Sequence, residues 1–366
     1  MLNVSKTKPY YKYIYEEVKS NIKLGKYDNI EYLPSEASMS KEYDVDRVTV
    51  RRALQLLVDE NLITKEAGVG SKIVKKEIVE PKLNINPNIS YSPCNNIAFV
   101  LPARKSNKIS QPFISAVFDK FQEICKEHGY NLFYTSLCED DDIPTIFSTI
   151  RGAVFVSEIY QVVIDKVLAM NIPAIAVSTT SSSIRSILSD NISGSVIAVE
   201  HLISLGHKKI AYINGTKSYL NAIERYEGYV RTLGNHSIPI NEKLIINGDW
   251  DFNSALESVQ KLIDSKEEFT AIYAANDMMA LGAMRALAEN GLSVPRDVSV
   301  IGFDNVEQCR YSLPALTTIN IDRDILANQI MKNLLELIEH NDHVPIKTII
   351  PVNLRKREST AVNKNT

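Results

Sequence analysis

The chain has only four cysteines in 366 residues, and Cys94, Cys125, Cys138 and Cys309 form no Cys-x-x-Cys or alternating Cys/His pattern. They read as free thiols of a reducing compartment, not as a disulfide framework or a zinc site. No run approaches the ~20 apolar residues that span a bilayer. The lysines of the first ten residues are not followed by an apolar stretch, so no secretory signal is visible. A cytoplasmic protein with no membrane partner is expected. An excess of one charge is missing too: 41 Lys and Arg face 44 Asp and Glu, a net of −3. That balance excludes a polycationic coat for nucleic acid or anionic lipid. Catalytic signatures are equally scarce. No nucleophile elbow, phosphate loop, metal cluster or paired catalytic carboxylates can be found, so neither an enzyme nor a bound cofactor or metal is expected.

What is present is a 45% hydrophobic share and a length suited to two or three units with proper cores. A boundary lies around Pro81, Pro87 and Pro93, in an Asn- and Ser-rich stretch that cannot sustain a helix. The chain is therefore divided into residues 1–78, a linker at 79–95, and 96–366. In the last part, short apolar runs alternate with amphipathic helical stretches. The runs are 97–101, 132–134, 152–156, 174–177, 209–213, 271–274 and 298–302. The helical stretches include 115–128, 161–170, 194–205, 252–265 and 278–289. Such alternation predicts parallel sheets with helical crossovers, and its length predicts two α/β lobes. Ligands of such sheets sit beyond the carboxyl ends of the strands, here in a cleft between the lobes.

The first 78 residues predict a helix over 13–22 closed by Gly25, and a second helix opened by Ser35. A turn at 44–46 follows, and then a third helix from Arg47 to Glu60. Two helices joined by a tight turn make a helix-turn-helix, whose second helix offers its first residues to the major groove. Arg47, Thr49, Arg51 and Arg52 crowd that start, while Val50, Leu54, Leu57 and Val58 supply the apolar face. Arginine suits bidentate contacts with guanine or phosphate. Residues 62–74 predict a β-hairpin, with Gly68 and Gly70 at its tip. These two glycines are too sparse for a dinucleotide fingerprint; a DNA-touching wing explains them better.

The strings Leu33-Pro-Ser-Glu36, Tyr43-Asp-Val-Asp-Arg-Val-Thr-Val-Arg-Arg-Ala-Leu54 and Gly68-Val-Gly70 resemble the winged helix-turn-helix of GntR-type bacterial regulators over residues 9–76. The resemblance implies a DNA surface of Ser35, Glu36, Arg47, Thr49 and Arg51, with Arg52 in support and Gly70 shaping the wing. Ala37, where the family usually has Arg or another polar side chain, removes one expected contact. Asp46 replaces a usual Ser.

Further motifs resemble the effector domain of LacI/GalR-type regulators over 96–360. They include Ser189-Asp-Asn-Ile-Ser-Gly194, Glu200-His-Leu-Ile-Ser-Leu-Gly-His207, Glu224-Arg-Tyr-Glu-Gly228, Ala274-Ala-Asn-Asp277 and Val300-Ile-Gly-Phe-Asp304. The combination is similar to the arabinose-repressor architecture. It implies a small α/β winged helix-turn-helix domain plus a two-lobed α/β domain like type I periplasmic binding proteins, with passages between lobes near 183–187, 308–312 and 320–345. The implied effector site holds Phe113, Ser178, Arg225, the sole tryptophan Trp250, Asn276 and Asp304. Ser178 stands where relatives commonly carry Asp. Phe113 and Trp250 also fit a core role, Asp304 a helix cap, and Asp277 is expected to cap the helix from Met278. His201 and His207 are six residues apart, which is not metal spacing, and a structural role is expected.

The function implied is a ligand-responsive repressor of carbohydrate-utilisation genes. It would bind double-stranded operator DNA as a homodimer and release it when a small sugar enters the cleft. A purine or sugar phosphate is the alternative effector. An α/β enzyme or a transport sugar-binding protein fits the motifs less well. Residues 1–78 hold 14 Lys and Arg against 12 Asp and Glu, so operator binding must rest on placed arginines rather than bulk charge.

Overall fold

The computed structural model describes residues 10–23, 27, 31–43, 45–60, 62–66, 70–74, 95–103, 109–340 and 344–364. The chain separates into two units, Met1–Ser90 and Tyr91–Thr366. Of the linker expected at 79–95 only Asn95 is described, and Gly25, Asp44 and Gly68 also lie outside the described residues. No described helix is long and apolar enough to cross a membrane.

In the first unit, helices α1 (Tyr10–Lys23), α2 (Glu36–Glu42) and α3 (Arg47–Asp59) precede an antiparallel hairpin of β1 (Ile63–Glu66) and β2 (Gly70–Ile73). Side-chain caps set where two of these helices start. The Ser35 hydroxyl accepts the Ser38 amide at 3.1 Å, and the Asp46 carboxylate accepts the Thr49 amide at 2.7 Å. Asp and Ser are interchangeable at such a position, which accounts for Asp46. Ile14 and Val18 of α1, Met39 of α2, Val50, Leu54 and Leu57 of α3, and Ile63 and Ile73 of the hairpin close a single small core. The segment before α2 joins the hairpin, with the Leu33 amide donating to the Ser71 carbonyl at 2.9 Å.

The second unit begins with β3 (Asn96–Pro102), α4 (Pro112–Glu127), β4 (Asn131–Leu137), α5 (Ile143–Ile146), β5 (Ile150–Val156), α6 (Gln161–Ala169), β6 (Ala174–Val177) and β7 (Arg185–Ser189). It continues through α7 (Asn191–Ser204), β8 (Ile210–Asn214), α8 (Leu220–Asn235), β9 (Ile245–Asn247), α9 (Phe252–Asp264), β10 (Ala271–Ala274), α10 (Asp277–Glu289), β11 (Ser299–Asp304), α11 (Gln308–Tyr311) and β12 (Thr317–Ile321). The last elements are α12 (Arg323–His340), β13 (Lys347–Ile350) and β14 (Val352–Arg355). The strands form two six-stranded sheets, ordered β13-β7-β6-β5-β3-β4 and β14-β12-β11-β10-β8-β9. All pairings are parallel except that of β14 with β12. Both sheets are buried by helices, as parallel pairing requires.

Three passages join the lobes: between β7 and α7, between β12 and α12, and between β13 and β14. Their positions correct the sequence-based placements. Residues 183–187 run onto β7 inside the first sheet, and 308–312 is α11 inside the second lobe. Only 320–345 contains a passage, and the one at Pro351 was not foreseen. The reason is polar burial: β7 reads Arg-Ser-Ile-Leu-Ser yet is buried throughout, with Arg185 paired to Glu336 of α12 at 2.7 Å.

Two further details fix the second lobe. Residues 359–361 strap its outer face: the Val300 amide donates to the Ser359 carbonyl at 2.8 Å, and His201 and His207 hold Thr360 and the Ala361 carbonyl. The two histidines are thus structural, and no group of metal-ligating side chains occurs among the described residues. Asp277 does not cap α10. Asn276 does, accepting the Met279 amide at 2.8 Å. Asp277 is fully buried and accepts from the Val306 amide at 2.8 Å and the Thr318 hydroxyl at 2.5 Å, tying α10 to β12 and the segment after β11.

Two tests follow from this packing. Helix α8 approaches α7 so closely at Gly228 that a Cβ there would lie 2.5 Å from the Ser195 Cβ and 2.6 Å from the Ile192 carbonyl oxygen. Gly228→Ala is expected to destabilise the chain by about 1–3 kcal/mol in urea unfolding; an unchanged midpoint would contradict the close approach. For Asp277, burial lifts the carboxyl well above the usual range and the neighbouring Asp304 adds to it, against the donors from Thr318 and Val306. A raised folded value means that the fold favours the protonated form. That contribution is full below the ordinary Asp value and is lost as pH rises through the raised one. The stability of the wild type relative to Asp277→Asn should therefore fall as pH rises from about 4 towards neutrality. A pH-independent difference would show that Asp277 is not the buried acid described.

Candidate functional site

The six residues that the sequence assigns to an effector site line one cleft between the lobes of the second unit. Most of them follow a strand of one of the two sheets, as the carboxyl-end rule requires. Ser178 follows β6, Trp250 follows β9, Asn276 follows β10, and Asp304 ends β11. Phe113 sits in the first turn of α4, half-buried against the core, and it also lines the cleft. Arg225 lies on the second turn of α8.

Arg225 and Asp304 are the charged centre of this cleft among the described residues. The Arg225 Nη2 is 3.1 Å from the Asp304 Oδ1, and both side chains are almost entirely buried. The Arg225 Nε donates to the Asn191 Oδ1 at 2.9 Å, and its Nη1 donates to the Ala275 carbonyl. The guanidinium lies 3.7 Å from the centre of the Phe303 ring and 5.6 Å from that of Trp250. Burial raises the Asp304 carboxyl above the usual range, and Arg225 opposes that rise. The Asp304 Oδ1 faces the guanidinium as an ion-pair partner, and no other partner for it occurs among the described residues. The buried indole Nε1 of Trp250 likewise has no acceptor among the described residues. Asn276 is partly committed, since its oxygen caps α10 and its Nδ2 is 3.4 Å from the Trp250 carbonyl.

The cleft backbone is strained. Nine described non-glycine residues have positive φ, and Ser157, Ser178, Asp249, Trp250, Asp304 and Asn305 lie in the cleft wall or next to it. Such conformations cost on the order of 1–3 kcal/mol each and gather where a ligand-facing geometry is fixed by its surroundings. Gln111, Ser157, Tyr219 and Asn221 also line the cleft and were not singled out from the sequence. Ser157 was within reach of the carboxyl-end rule, because it directly follows β5.

In the first unit, the residues expected at a DNA surface separate into two groups. Arg51 forks onto Glu36, with Nη2 to Oε2 at 2.8 Å and Nε to Oε2 at 3.2 Å, while its side chain stays 61% exposed. The pair holds the Glu36 carboxyl below its usual range. Lys65 of β1 approaches the same carboxylate at 3.8 Å. Arg47, one turn before Arg51 on α3, is exposed. The Thr49 hydroxyl donates to the Asp46 cap at 3.3 Å. Ser35 is engaged in capping α2. Arg52 points elsewhere, with its guanidinium 4.2 Å from the centre of the Tyr11 ring of α1. Gly70 has φ +145°, a conformation that favours glycine, at the start of β2. Val48, which the sequence reading passed over, is 72% exposed on the first turn of α3.

Comparison with known proteins gives this geometry a context. Residues 10–73 match the gntR family of bacterial regulatory proteins, and residues 199–360 match a periplasmic binding protein-like domain. The chain is 40% identical over 167 residues to the HTH-type transcriptional regulator AscG of Escherichia coli (strain K12); the match covers 46% of this chain and spans half, 50%, of that relative's length. It is 30% identical over 291 residues to the HTH-type transcriptional repressor PurR of Haemophilus influenzae (strain PittEE), covering 74% of this chain and 85% of that protein. Among solved structures, a LacI family transcriptional regulator from Enterococcus faecium with bound ribose matches with a TM-score of 0.66 at 25% identity, covering 74% of this chain and all of that one. From a repressor matched over most of its length and a shared two-lobed fold, it follows that the chain belongs to the LacI family of transcriptional regulators, here with a DNA-binding segment of the gntR type.

Proposed function

We propose that the chain is a repressor of carbohydrate-utilisation genes that senses a neutral sugar in the inter-lobe cleft and then releases operator DNA. The observation that carries this reading is a cleft in which the Asp304 carboxylate, fixed by Arg225 and with lone pairs to spare, stands near the buried Trp250 Nε1, which has no acceptor among the described residues. A hydroxyl both donates and accepts, so a polyol satisfies the two together. Trp250 and Phe113 offer faces for the C–H side of a sugar ring. Ser178 contributes a single hydroxyl on the first-lobe side, which favours a different hydroxyl pattern from that read by a carboxylate. The bound ribose of the Enterococcus faecium regulator supports a sugar over a purine or a sugar phosphate.

On the operator side, α3 enters the major groove. Arg47 and Arg51 face bases or phosphates, and Thr49 adds a hydroxyl contact. Glu36 pre-orders the Arg51 fork, Ser35 fixes the start of α2 beside the DNA backbone, and Gly70 shapes the wing. Arg52, stacked on Tyr11, supports α3 from behind. Val48 suits the methyl group of a thymine. Paired readers in a homodimer span a pseudo-palindromic operator, and this DNA target places the protein's work in the cytoplasm.

Arg51→Ala is expected to weaken specific operator binding by on the order of 1–3 kcal/mol, roughly fivefold to 150-fold, in gel-shift titrations. Equal affinity for the wild type and the variant would remove Arg51 from the operator contacts. A thermal-shift screen of pentoses, hexoses, disaccharides, sugar phosphates and nucleobases tests the effector class, because binding raises the unfolding temperature. Stabilisation by phosphorylated sugars or nucleobases alone would overturn the neutral-sugar reading. Asp304→Asn should weaken the stabilising sugar by about 1.5–3 kcal/mol, and an unaltered shift would take Asp304 out of the site.

A further inference from the structure

We infer that Asn191 is a positioning residue for the effector, one that holds the Arg225 guanidinium from the point where the chain leaves the first lobe. The inference rests on the cleft being the effector site. Asn191 is the first residue of α7 and is only 2% exposed. Its neighbour Asp190 lies on the passage itself: the Asp190 amide donates to the Ile350 carbonyl at 2.9 Å, so the first and third passages are hydrogen-bonded to each other beside Asn191.

The Asn191 side chain uses both ends of its amide on α8. Its Oδ1 accepts from the Arg225 Nε at 2.9 Å. Its Nδ2 donates to the Glu224 Oε2 at 2.8 Å and the Asn221 Oδ1 at 3.2 Å. Asn221 and Arg225 both line the cleft, whereas Asn191 does not. A second contact from the same helix turn reaches Arg225 from below. Gly194 leaves room for the Phe303 ring, where a Cβ would come within 2.6 Å of two ring carbons, and that ring lies 3.7 Å from the guanidinium. The first turn of α7 therefore sets the height of Arg225 through Phe303 and its rotation through Asn191. Only an amide does both jobs here. A carboxylate at position 191 would accept from Arg225 but face the Glu224 carboxylate, and an aliphatic side chain would leave the Arg225 Nε unpaired.

The sequence has one tryptophan, Trp250, whose ring lies 5.6 Å from the guanidinium, so its emission reports where Arg225 sits. The experiment titrates D-ribose, L-arabinose, D-xylose and D-glucose onto the full chain while following that emission. The wild type should show a saturable change with at least one of the sugars. Asn191→Ala should shift the sugar-free emission and raise the half-saturating concentration about tenfold or more. Asn191→Asp alone should be similarly weakened. Asn191→Asp combined with Glu224→Gln, which exchanges donor and acceptor, should return to within about threefold of the wild type. That recovery separates positioning from a general packing role and holds even if Asn191→Ala folds poorly. A responsive wild type with an equally responsive Asn191→Ala, or no recovery in the double variant, overturns the role of Asn191. A wild type silent to every sugar removes the cleft reading, and the inference falls with it.

Discussion

A guanidinium and a carboxylate buried together are costly to dehydrate, and the Arg225–Asp304 pair is tolerable only because the fold surrounds it with fixed partners. The Ala275 carbonyl after β10, the Asn191 amide of α7 and the Phe303 ring of β11 come from three separate segments of the second lobe. Removing either charge would strand the other, which typically costs about 3–5 kcal/mol. Asp304 itself adopts φ +107°, with Asn305 at +57°. Asn305 is then locked by Asn320 at 2.8 Å and Arg357 at 2.6 Å. The pair at the cleft therefore depends on contacts well outside it, and β12, which supplies Asn320, leads into the passage before α12.

Much of the fold was legible because its signals are local. The cap Ser35, the hairpin over 62–74 and the apolar strands from β3 to β6 follow from residue type and period alone. The parts that escaped were those whose polar residues are satisfied by distant chain. Strand β7 looks polar until Arg185 meets Glu336. Strand β12 looks polar until the Thr317 amide meets the Ser359 hydroxyl at 2.8 Å. Asn276 and Asp277 are both good caps by type, and the choice between them was made by Thr318 and the Val306 amide, far along the sequence. All six effector candidates line one cleft: Arg225, Asn276 and Asp304 lie within recognisable motifs, and Phe113, Ser178 and Trp250 were assigned by their positions in the resemblance. Asn191 also lies in a motif, but nothing local marks it as a partner of Arg225.

In the first unit a domain of small net charge still fixes the direction of individual arginines. Arg51 and Arg52 are adjacent, and the helix turns them in different directions, one onto Glu36 and the other onto Tyr11. Counting arginines in the sequence treats them alike. Exposed ion pairs of this kind contribute little stability, about 0–1 kcal/mol, so the Glu36–Arg51 fork matters as a restraint on direction rather than as a source of folding energy. If Arg51 meets a base as proposed, the fork limits how far its side chain must be ordered, and the cost of that ordering is part of what separates tight from loose recognition.

The three passages between the lobes have a mechanical consequence. A single connection would let the lobes twist, slide and open independently. Three connections, two of them joined at their first-lobe ends by the Asp190–Ile350 hydrogen bond that extends the β7–β13 pairing, restrict such motions towards one hinge-like rotation. Any ligand that bridges the lobes then acts on that one coordinate, with the free energy of its contacts going into an angle instead of being spread over many small displacements.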